Sequence, residues 1–348
     1  MNETDATMAH VTPTYSFVIP VFNEEDGLAE LFRRMSALLE QLDGPAEVIL
    51  VDDGSRDRSY AQMLAIHAAD DRFRVVQFSR NFGHQIAISA GMDLCCGDAV
   101  VIMDADLQDP PEVVLEMAVK WREGYDLVYG QRQRREEETW FKKFTAGVFY
   151  RMLRSMTDVD MPVDAGDFRL IDRKALDAFR SMRERSRYVR GMFGWVGFRQ
   201  IGVKYVRPGR FAGETKYPLS KMIRLALDGI ISFSNLPLRF VMQFGFLVSI
   251  ISFAAGIVAM YVKLSGAYAV PGWASLMVWV SFIGGVQLTV LGVIGEYIGR
   301  IYDEVKQRPL YLVRELRGFG ALDRAPNHLF TQLAQNRQEE AARLVKSP

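Results

Sequence analysis

The chain has 348 residues, enough for one substantial domain plus an appendage. Lys and Arg together number 42, and so do Asp and Glu, so the formal net charge is zero. That balance argues against a nucleic-acid partner, which needs a basic excess, and against an acidic disordered chain.

Residues 1–14 are polar, carry acids and have no apolar core, so no signal peptide is expected. The folded part is therefore expected to stay on the side where it is made. Residues 15–22 (YSFVIPVF) predict a short buried strand ending at Asn23, Glu24 and Glu25, which suit a helix start. Leu28, Leu31, Phe32, Met35, Leu38 and Leu39 then recur at helical spacing. Residues 47–51 (EVILV) predict the next strand, followed by the turn Asp52-Asp53-Gly54-Ser55; residues 73–78 and 99–103 predict two more. Cys95 and Cys96 are adjacent, cannot staple a chain of this size, and read as reduced thiols in a cytosolic helix. Asp109-Pro110-Pro111-Glu112 opens another helix, with proline tolerated in its first turn, and residues 125–129 (YDLVY) close the series. Such alternation implies an α/β domain whose mainly parallel sheet has helices on both faces. Ligands then sit beyond the carboxyl ends of the strands. No Gly-rich dinucleotide or P-loop pattern is present, which argues against dehydrogenases and NTPases.

The pattern changes at Arg132. Residues 132–138 are a charge run, read as a solvated loop or helix start. Trp140, Phe141, Phe144, Val148, Phe149 and Met152 form an aromatic stripe with Lys142, Lys143 and Arg151 interleaved. A core helix and an interfacial amphipathic helix both fit that stripe. Residues 217–233, with Lys216, Lys221 and Arg224, read similarly and run toward a long apolar region. Between Arg239 and Glu296 the only charged residue is Lys263, which divides two apolar stretches, 240–262 and 264–295. A membrane helix needs about 20 mostly apolar residues, so both qualify. Arg224 and Arg239 precede the pair, and Arg300, Lys306 and Arg308 follow it, which predicts a hairpin with both termini cytosolic. Gly284, Gly285, Gly292 and Gly299 would permit close helix packing, so the hairpin reads as an anchor and an oligomer contact. The stretch beyond Leu322 is polar, without evident chemistry.

Polar residues gather at the predicted strand ends: Asn23 and Glu24, Asp52 and Asp53, Arg80 and Asn81, Asp104 and Asp106. Four strands thus deliver carboxylates or amides to one rim, which marks a site. Asp104-Ala105-Asp106 can reach one cation from a loop, and Gln108 can add a ligand or hydrogen bond. Hard divalent ions such as Mg²⁺ and Mn²⁺ prefer oxygen donors and share them readily with a diphosphate. Asp52 and Asp53 read either as a plain turn or as a contact to a base or ribose. Arg80 reads as a phosphate or sugar contact, with a helix cap or salt bridge as the alternative. His84 reads as a hydrogen-bonded neighbour of the site.

VIPVFNEE, VDDGSRD, RNFGHQIAISAG and DADLQDPPE, in that order, resemble the family 2 glycosyltransferases of GT-A (Rossmann-like) fold. DAGDFRLIDR, AGETKYPLSKM and the apolar hairpin narrow the resemblance to polyprenyl-phosphate glycosyltransferases, such as bactoprenol glucosyltransferases and dolichol-phosphate mannose synthases. The resemblance implies a nucleotide pocket lined by Pro20, Asn23 and Glu24, with Asp53 on the base. It places Asp104, Asp106 and Gln108 around the metal and diphosphate. It makes Asp167 a base or acceptor-orienting residue, with a salt bridge to Arg169 or Arg173 as the alternative. Arg169 and Arg210 are implied as phosphate contacts, and Lys216 and Tyr217 as contacts to the lipid and donor phosphates. The implied partners are a nucleotide-sugar, a polyprenyl phosphate, the bilayer and further copies of the chain as a homotetramer.

The expected organisation is a leader (1–14), a nucleotide-sugar-binding core (15–135), an acceptor-side region with interfacial helices (136–235), two transmembrane helices (236–298) and a cytosolic tail (299–348). The expected activity is metal-dependent, inverting transfer from a UDP-sugar, UDP-glucose first, to undecaprenyl phosphate at a bacterial inner membrane, with the catalytic domain cytoplasmic. GDP-mannose is the alternative donor. A glycan-extending transferase is a rival reading, but the Gln-x-x-Arg-Trp motif it calls for is missing. A lipid-binding scaffold is a second rival, and the intact carboxylates argue against it.

Overall fold

Strand β1 (Tyr15–Val21) is buried at all seven positions, which places it at the centre of a sheet covered on both faces. It pairs in parallel with β2 (Ala46–Asp52) on one side and β4 (Ala99–Ile102) on the other, and β2 pairs in parallel with β3 (Phe73–Phe78). Helices α1 (Leu28–Leu39), α2 (Ser59–Ala69), α3 (His84–Leu94) and α4 (Val113–Arg122) alternate with these strands. The computed structural model describes residues 13–132, 165–185, 187–206, 236–265 and 272–320.

Helix α1 buries Leu28, Leu31, Met35, Leu38 and Leu39, the stripe its spacing predicts. Asn23 to Glu25, expected to open it, instead form a loop, and the helix begins at Leu28. Helix α3 lies so close to β1 that a Cβ on Gly91 would come within 2.3 Å of Val18 Cγ1. Any side chain there would force helix and strand apart. Cys95 and Cys96 follow α3 as free thiols, and burial pushes the Cys95 thiol up to about 11, which keeps it protonated and inert.

The sheet has eight strands in the order β7-β5-β6-β4-β1-β2-β3-β8. The expected GT-A arrangement is therefore present, with antiparallel additions that the alternation pattern does not announce. β6 (Ala165–Asp172) runs antiparallel between β4 and β5 (Leu127–Arg132), while β7 (Gln200–Tyr205) pairs in parallel with β5. The strand expected over 125–129 starts two residues later. Tyr125 N–H donates back to the Lys120 carbonyl at 3.4 Å, and the Asp126 carboxylate accepts from Arg199 N–H at 3.0 Å. Helix α5 (Arg173–Ser181) follows β6, capped by Asp172, whose side chain accepts from Lys174 N–H. Helix α6 (Val189–Trp195) precedes β7.

Two boundaries move. The sheet does not end at residue 135, because β6 and β7 belong to it. The expected tail, residues 299–348, includes the end of an apolar helix and then β8 (Val313–Arg317), antiparallel to β3. An edge strand paired on one side buries little, here Val313 and Leu316, so its apolar signal is faint. Residues just before it are better anchored. The Tyr311 ring stacks on Phe78 with centroids 5.3 Å apart, and its hydroxyl donates to Asp93 at 3.0 Å. Asp93 also pairs with Arg183 at 3.0 Å, and Tyr60 donates to Glu315 at 2.7 Å.

A second compact unit holds α7 (Leu236–Leu264) and α8 (Trp273–Val305). Phe240–Val258 has a mean hydropathy of 2.1 and Phe282–Val305 of 1.4, and both are long enough to cross a bilayer. Phe246, Phe253, Tyr261, Leu288 and Ile301 are among their exposed apolar side chains. The helices expected around Trp140 and Met222 lie outside the described residues.

Tyr311 supplies the test of the β8 brace. Tyr311→Phe leaves the ring stack but strips one buried partner from Asp93, and is expected to cost about 1–2 kcal/mol. Tyr311→Ala also removes the ring and is expected to cost about 3–5 kcal/mol. Denaturation of the detergent-solubilised protein measures both.

Candidate active site

The carboxyl ends of β1, β2, β3 and β4 present the polar rim. β1 and β4 are neighbours whose chains continue to opposite sides of the sheet, so a crevice opens between the loops that leave them. The loops after β1 and β2 are laced together. Asn23 N–H donates to Ser55 Oγ at 3.0 Å, Arg56 N–H to Asn23 Oδ1 at 2.8 Å, and Glu24 N–H to Ser59 Oγ at 2.9 Å. Pro20 is buried within β1, three residues before this lacing begins at Asn23. Asp52 is fully buried; its Oδ1 accepts from Ser55 N–H at 2.9 Å, while Oδ2 has no hydrogen-bond partner.

Asp53 holds the next loop. Its carboxylate accepts from Phe82 N–H at 2.7 Å and from Gly83 N–H at 3.0 Å, fixing the entry into α3. Burial raises its pKa above the ordinary value despite those two bonds. Gly54, at φ 74°, lets the turn press against this loop, where a Cβ would meet the Arg80 carbonyl carbon at 2.7 Å. Arg80 itself is exposed, donates to Asn81 O at 3.0 Å and lies 4.0 Å over the Phe82 ring. Its guanidinium is thus parked on its own loop, with no carboxylate paired to it among the described residues.

The loop after β4 carries the densest charge. Leu107 adopts φ 56° and Asn23 adopts φ 55°; asparagine tolerates that region, but a buried leucine is strained there. Two such residues, on adjacent strand ends, mark backbone shaped for something other than stability. Gln108 N–H donates to Asp106 Oδ1 at 3.1 Å, tightening the loop. Asp109, fully buried, accepts from the Tyr205 hydroxyl, and Arg132 donates to that hydroxyl at 3.3 Å. This clamp ties the loop to β5 and β7.

Asp104 is the pivot. Its Oδ1 is buried without a hydrogen-bond partner, and His84 Nε2 stands 3.4 Å away. Burial pushes its carboxyl up to about 6, an effect the His84 charge lowers and Asp167, Asp109 and Asp106 raise further. An orphaned, desolvated oxygen beside other carboxylates fits a hard divalent cation, since the donors are all oxygen. Among the described residues no three His, Cys, Asp or Glu side chains converge as a metal site. Asp104 and Asp106 would leave coordination positions to a substrate's oxygens.

On the other side of Asp104 stands Asp167, near the start of β6 and 5% exposed. Its partner is neither arginine expected from the sequence. Arg190, from α6, grips it with Nε at 2.8 Å and Nη2 at 3.1 Å, and His84 Nε2 is 3.5 Å away. Burial raises the Asp167 pKa, but His84 and Arg190 outweigh it and hold the carboxyl well below the usual range. The same two carboxylates raise the His84 pKa against the effect of its burial. Arg169 sits behind the site. It is 6% exposed, donates to Gly166 O at 2.8 Å and lies 4.7 Å over Phe193. Burial lowers it to about 10. Arg173 donates to Gly97 O. Arg210, Lys216 and Tyr217 lie outside the described residues.

Sequence reasoning thus missed Arg190, undervalued His84, and passed over the Asp109, Tyr205 and Arg132 clamp. The signal for Arg190 was an arginine opening an apolar helix at SRYVRGMF, where a core position was due.

Asp104 makes a stability test possible. Its carboxyl titrates near 3.8 when exposed and near 6 here, so the folded state retains a proton that the unfolded state has lost. Stability without a divalent cation should therefore fall as pH rises from about 4 to about 6, and stay lower above that. Asp104→Asn should raise cation-free stability at pH 7 by roughly 1–3 kcal/mol and leave it unchanged at pH 4. Thermal melts at both pH values, with chelator present, check this.

Comparison with known proteins extends the picture. The pattern of "Glycosyl transferase family 2" matches residues 16–180. The uncharacterized glycosyltransferase YkcC of Bacillus subtilis is 50% identical over 304 residues, covering 87% of this chain and 94% of its own. The SfII prophage-derived bactoprenol glucosyl transferase of Shigella flexneri is 38% identical over 300 residues, covering 86% and 97%. Among solved structures, mannosyl-3-phosphoglycerate synthase from Rubrobacter xylanophilus aligns with a TM-score of 0.46 at 17% identity, covering 67% of this chain and 75% of that one. With relatives this similar along nearly their whole length, the chain belongs to glycosyl transferase family 2.

Proposed function

We propose that the chain transfers a sugar from a nucleotide-sugar to a polyprenyl phosphate by one inverting displacement. The observation that carries this is the buried Asp104 oxygen, without a hydrogen bond and 3.4 Å from His84 Nε2, set between the nucleotide-side loops and the Asp167–Arg190 pair. Relatives named bactoprenol glucosyl transferase support the acceptor, since similarity extends over 97% of their length. The two apolar helices support a bilayer location. β7, before them, and β8, after them, belong to one sheet, so the chain must cross an even number of times. That supports a hairpin that returns to the side of the sheet, and the arginines and lysine flanking the pair favour the cytoplasmic side.

A divalent cation, Mg²⁺ or Mn²⁺, held by Asp104 and Asp106 beside Gln108, would neutralise the departing diphosphate. The rest falls to the chain. The laced loops of Asn23, Glu24 and Asp53 hold the nucleotide. The acceptor phosphate oxygen attacks the anomeric carbon, the bond to the diphosphate breaks, and its electron pair leaves with the nucleoside diphosphate. Phosphate monoesters have a second pKa of about 6, so the acceptor is already anionic at neutral pH. Asp167, ionised throughout the neutral range, is unsuited to take a proton and acts by orienting its neighbours. UDP-glucose or a related UDP-sugar is the donor we favour, with GDP-mannose the rival in the same assay.

The purified protein, incubated with labelled nucleotide-sugars, undecaprenyl phosphate and Mn²⁺ or Mg²⁺, should yield a chloroform-soluble sugar monophosphate. A water-soluble polymer, or no transfer from any donor, sinks the reading. Transfer should rise with pH through about 6, as the acceptor phosphate ionises, and then level off. Asp167→Asn should lower the plateau without moving that midpoint.

A further inference from the structure

Arg190 is placed with more care than charge neutralisation requires. Arg169 and Arg173 lie nearer in sequence to Asp167, yet both are turned to backbone carbonyls, Gly166 O and Gly97 O. The partner comes from a separate element, α6, whose Val189, Met192 and Phe193 are buried. The backbone on its N-terminal side is pinned to α3. Val189 N–H donates to Gln85 Oε1 at 3.0 Å, and Arg187 Nη1 donates to Ser89 Oγ at 2.8 Å. Helix α3 is also the element that brings His84 to Asp104. Arg190 is therefore fixed by its backbone and by the carboxylate before any substrate arrives, which is the condition for a preorganised contact.

The fork of the guanidinium is only half used. Nε and Nη2 engage Asp167, and Nη1 makes no hydrogen bond among the described residues. Asp167 is 5% exposed while the Arg190 side chain is 35% exposed, so the carboxylate is the more deeply buried partner. Beside the guanidinium stands Asp167, and Asp104 is close enough to act on its charge, so a second anion would have to approach past two carboxylates. A phosphate approaching the anomeric carbon past those carboxylates needs a fixed cation, and arginine's planar fork suits phosphate oxygens.

We propose that Arg190 binds the acceptor's phosphate through its unused guanidinium edge, and that Asp167 is the positioning residue that aims it. The assignment rests on the acceptor being a lipid monophosphate. It turns Asp167 from a proton acceptor into the holder of a cation, and puts the contact on α6.

The test uses the full-length protein in detergent, with donor and undecaprenyl phosphate varied independently. Arg190→Lys keeps the charge and loses the fork; it should raise the KM for undecaprenyl phosphate about 10-fold or more, with donor KM within about twofold. Arg190→Gln should raise acceptor KM further and also lower kcat. Asp167→Asn should raise acceptor KM in the same direction, since the guanidinium loses its aim but not its charge. Asp167→Asn combined with Arg190→Gln should be little worse than Arg190→Gln alone, because the carboxylate acts through the arginine. Inorganic phosphate should compete with the acceptor in the wild type and lose that competition in Arg190→Gln. If wild-type protein transfers sugar and Arg190→Lys leaves acceptor KM unchanged, this assignment falls alone. Equal losses toward donor and acceptor, together with a lowered melting temperature, mean a structural role and overturn it as well. If the wild type transfers to no polyprenyl phosphate, the acceptor reading falls and takes the assignment with it.

Discussion

An ionised carboxylate can be taken out of water only if something else solvates it, and at Asp104 that work falls largely to His84, whose Nε2 stands 3.4 Å away. One oxygen is buried without a hydrogen bond, and the carboxyl is pushed up to about 6 by burial. The surrounding structure looks arranged to maintain that condition rather than relieve it. Leu107, two residues past Ala105, is held at φ 56° inside the core, and Asp109 is clamped to Tyr205. The strain and the unsatisfied charge occupy one loop. Such features persist where function selects them against stability.

The sheet divides the remaining work across β4. On the β1, β2 and β3 side, loops are stitched to one another by backbone N–H groups donating to Ser55, Asn23, Ser59 and Asp53. Those bonds leave a rigid rim suited to a flat, polar ligand. β8, Tyr311 and Glu315 brace this half from its outer edge. On the β6 side the lining is ionic: Asp167 and Arg190, with His84 reaching between Asp104 and Asp167. On the proposed reaction, donor and acceptor would thus meet different chemistry on the two flanks of Asp104 and Asp106.

The parallel half of this sheet was legible because its strands are buried on both faces and read as continuous apolar runs. The loop after β4 stood out because Asp104 and Asp106 directly follow such a run. β6 was harder, since AGDFRLID puts Asp167 and Arg169 inside a strand, where periodicity expects apolar residues. β8 was invisible as a strand, because VRELR buries only Val313 and Leu316 at a sheet edge. Arg190 was missed for a different reason. Its partner Asp167 is 23 residues away, and no local pattern signals a pairing set by how α6 lies against β6. His84 was undervalued because a lone histidine near a rim has many harmless explanations. Only its distances to two carboxylates, 3.4 and 3.5 Å, separate it from them.

On the proposed reaction, the acceptor's own chemistry would remove the need for a proton acceptor. A phosphate monoester is anionic at neutral pH, with a second pKa of about 6, so the nucleophile arrives already activated. On that proposal the remaining difficulty is bringing one anion up to a donor that carries a diphosphate, beside Asp104 and Asp167. That is a problem of charge placement, and effective positioning contributes on the order of 7–11 kcal/mol to a barrier when the geometry is fixed in advance. A carboxylate with a depressed pKa would be a poor base but a good anchor, because it stays ionised and keeps its cation at every working pH. Asp167 has the properties of the anchor: buried, doubly bonded by Arg190, and well below the usual carboxylate range. The same ion pair would be wasteful if its purpose were stability, since burying a charge pair rarely gains over an apolar contact. That leaves binding as its use, since Nη1 of Arg190 makes no hydrogen bond among the described residues.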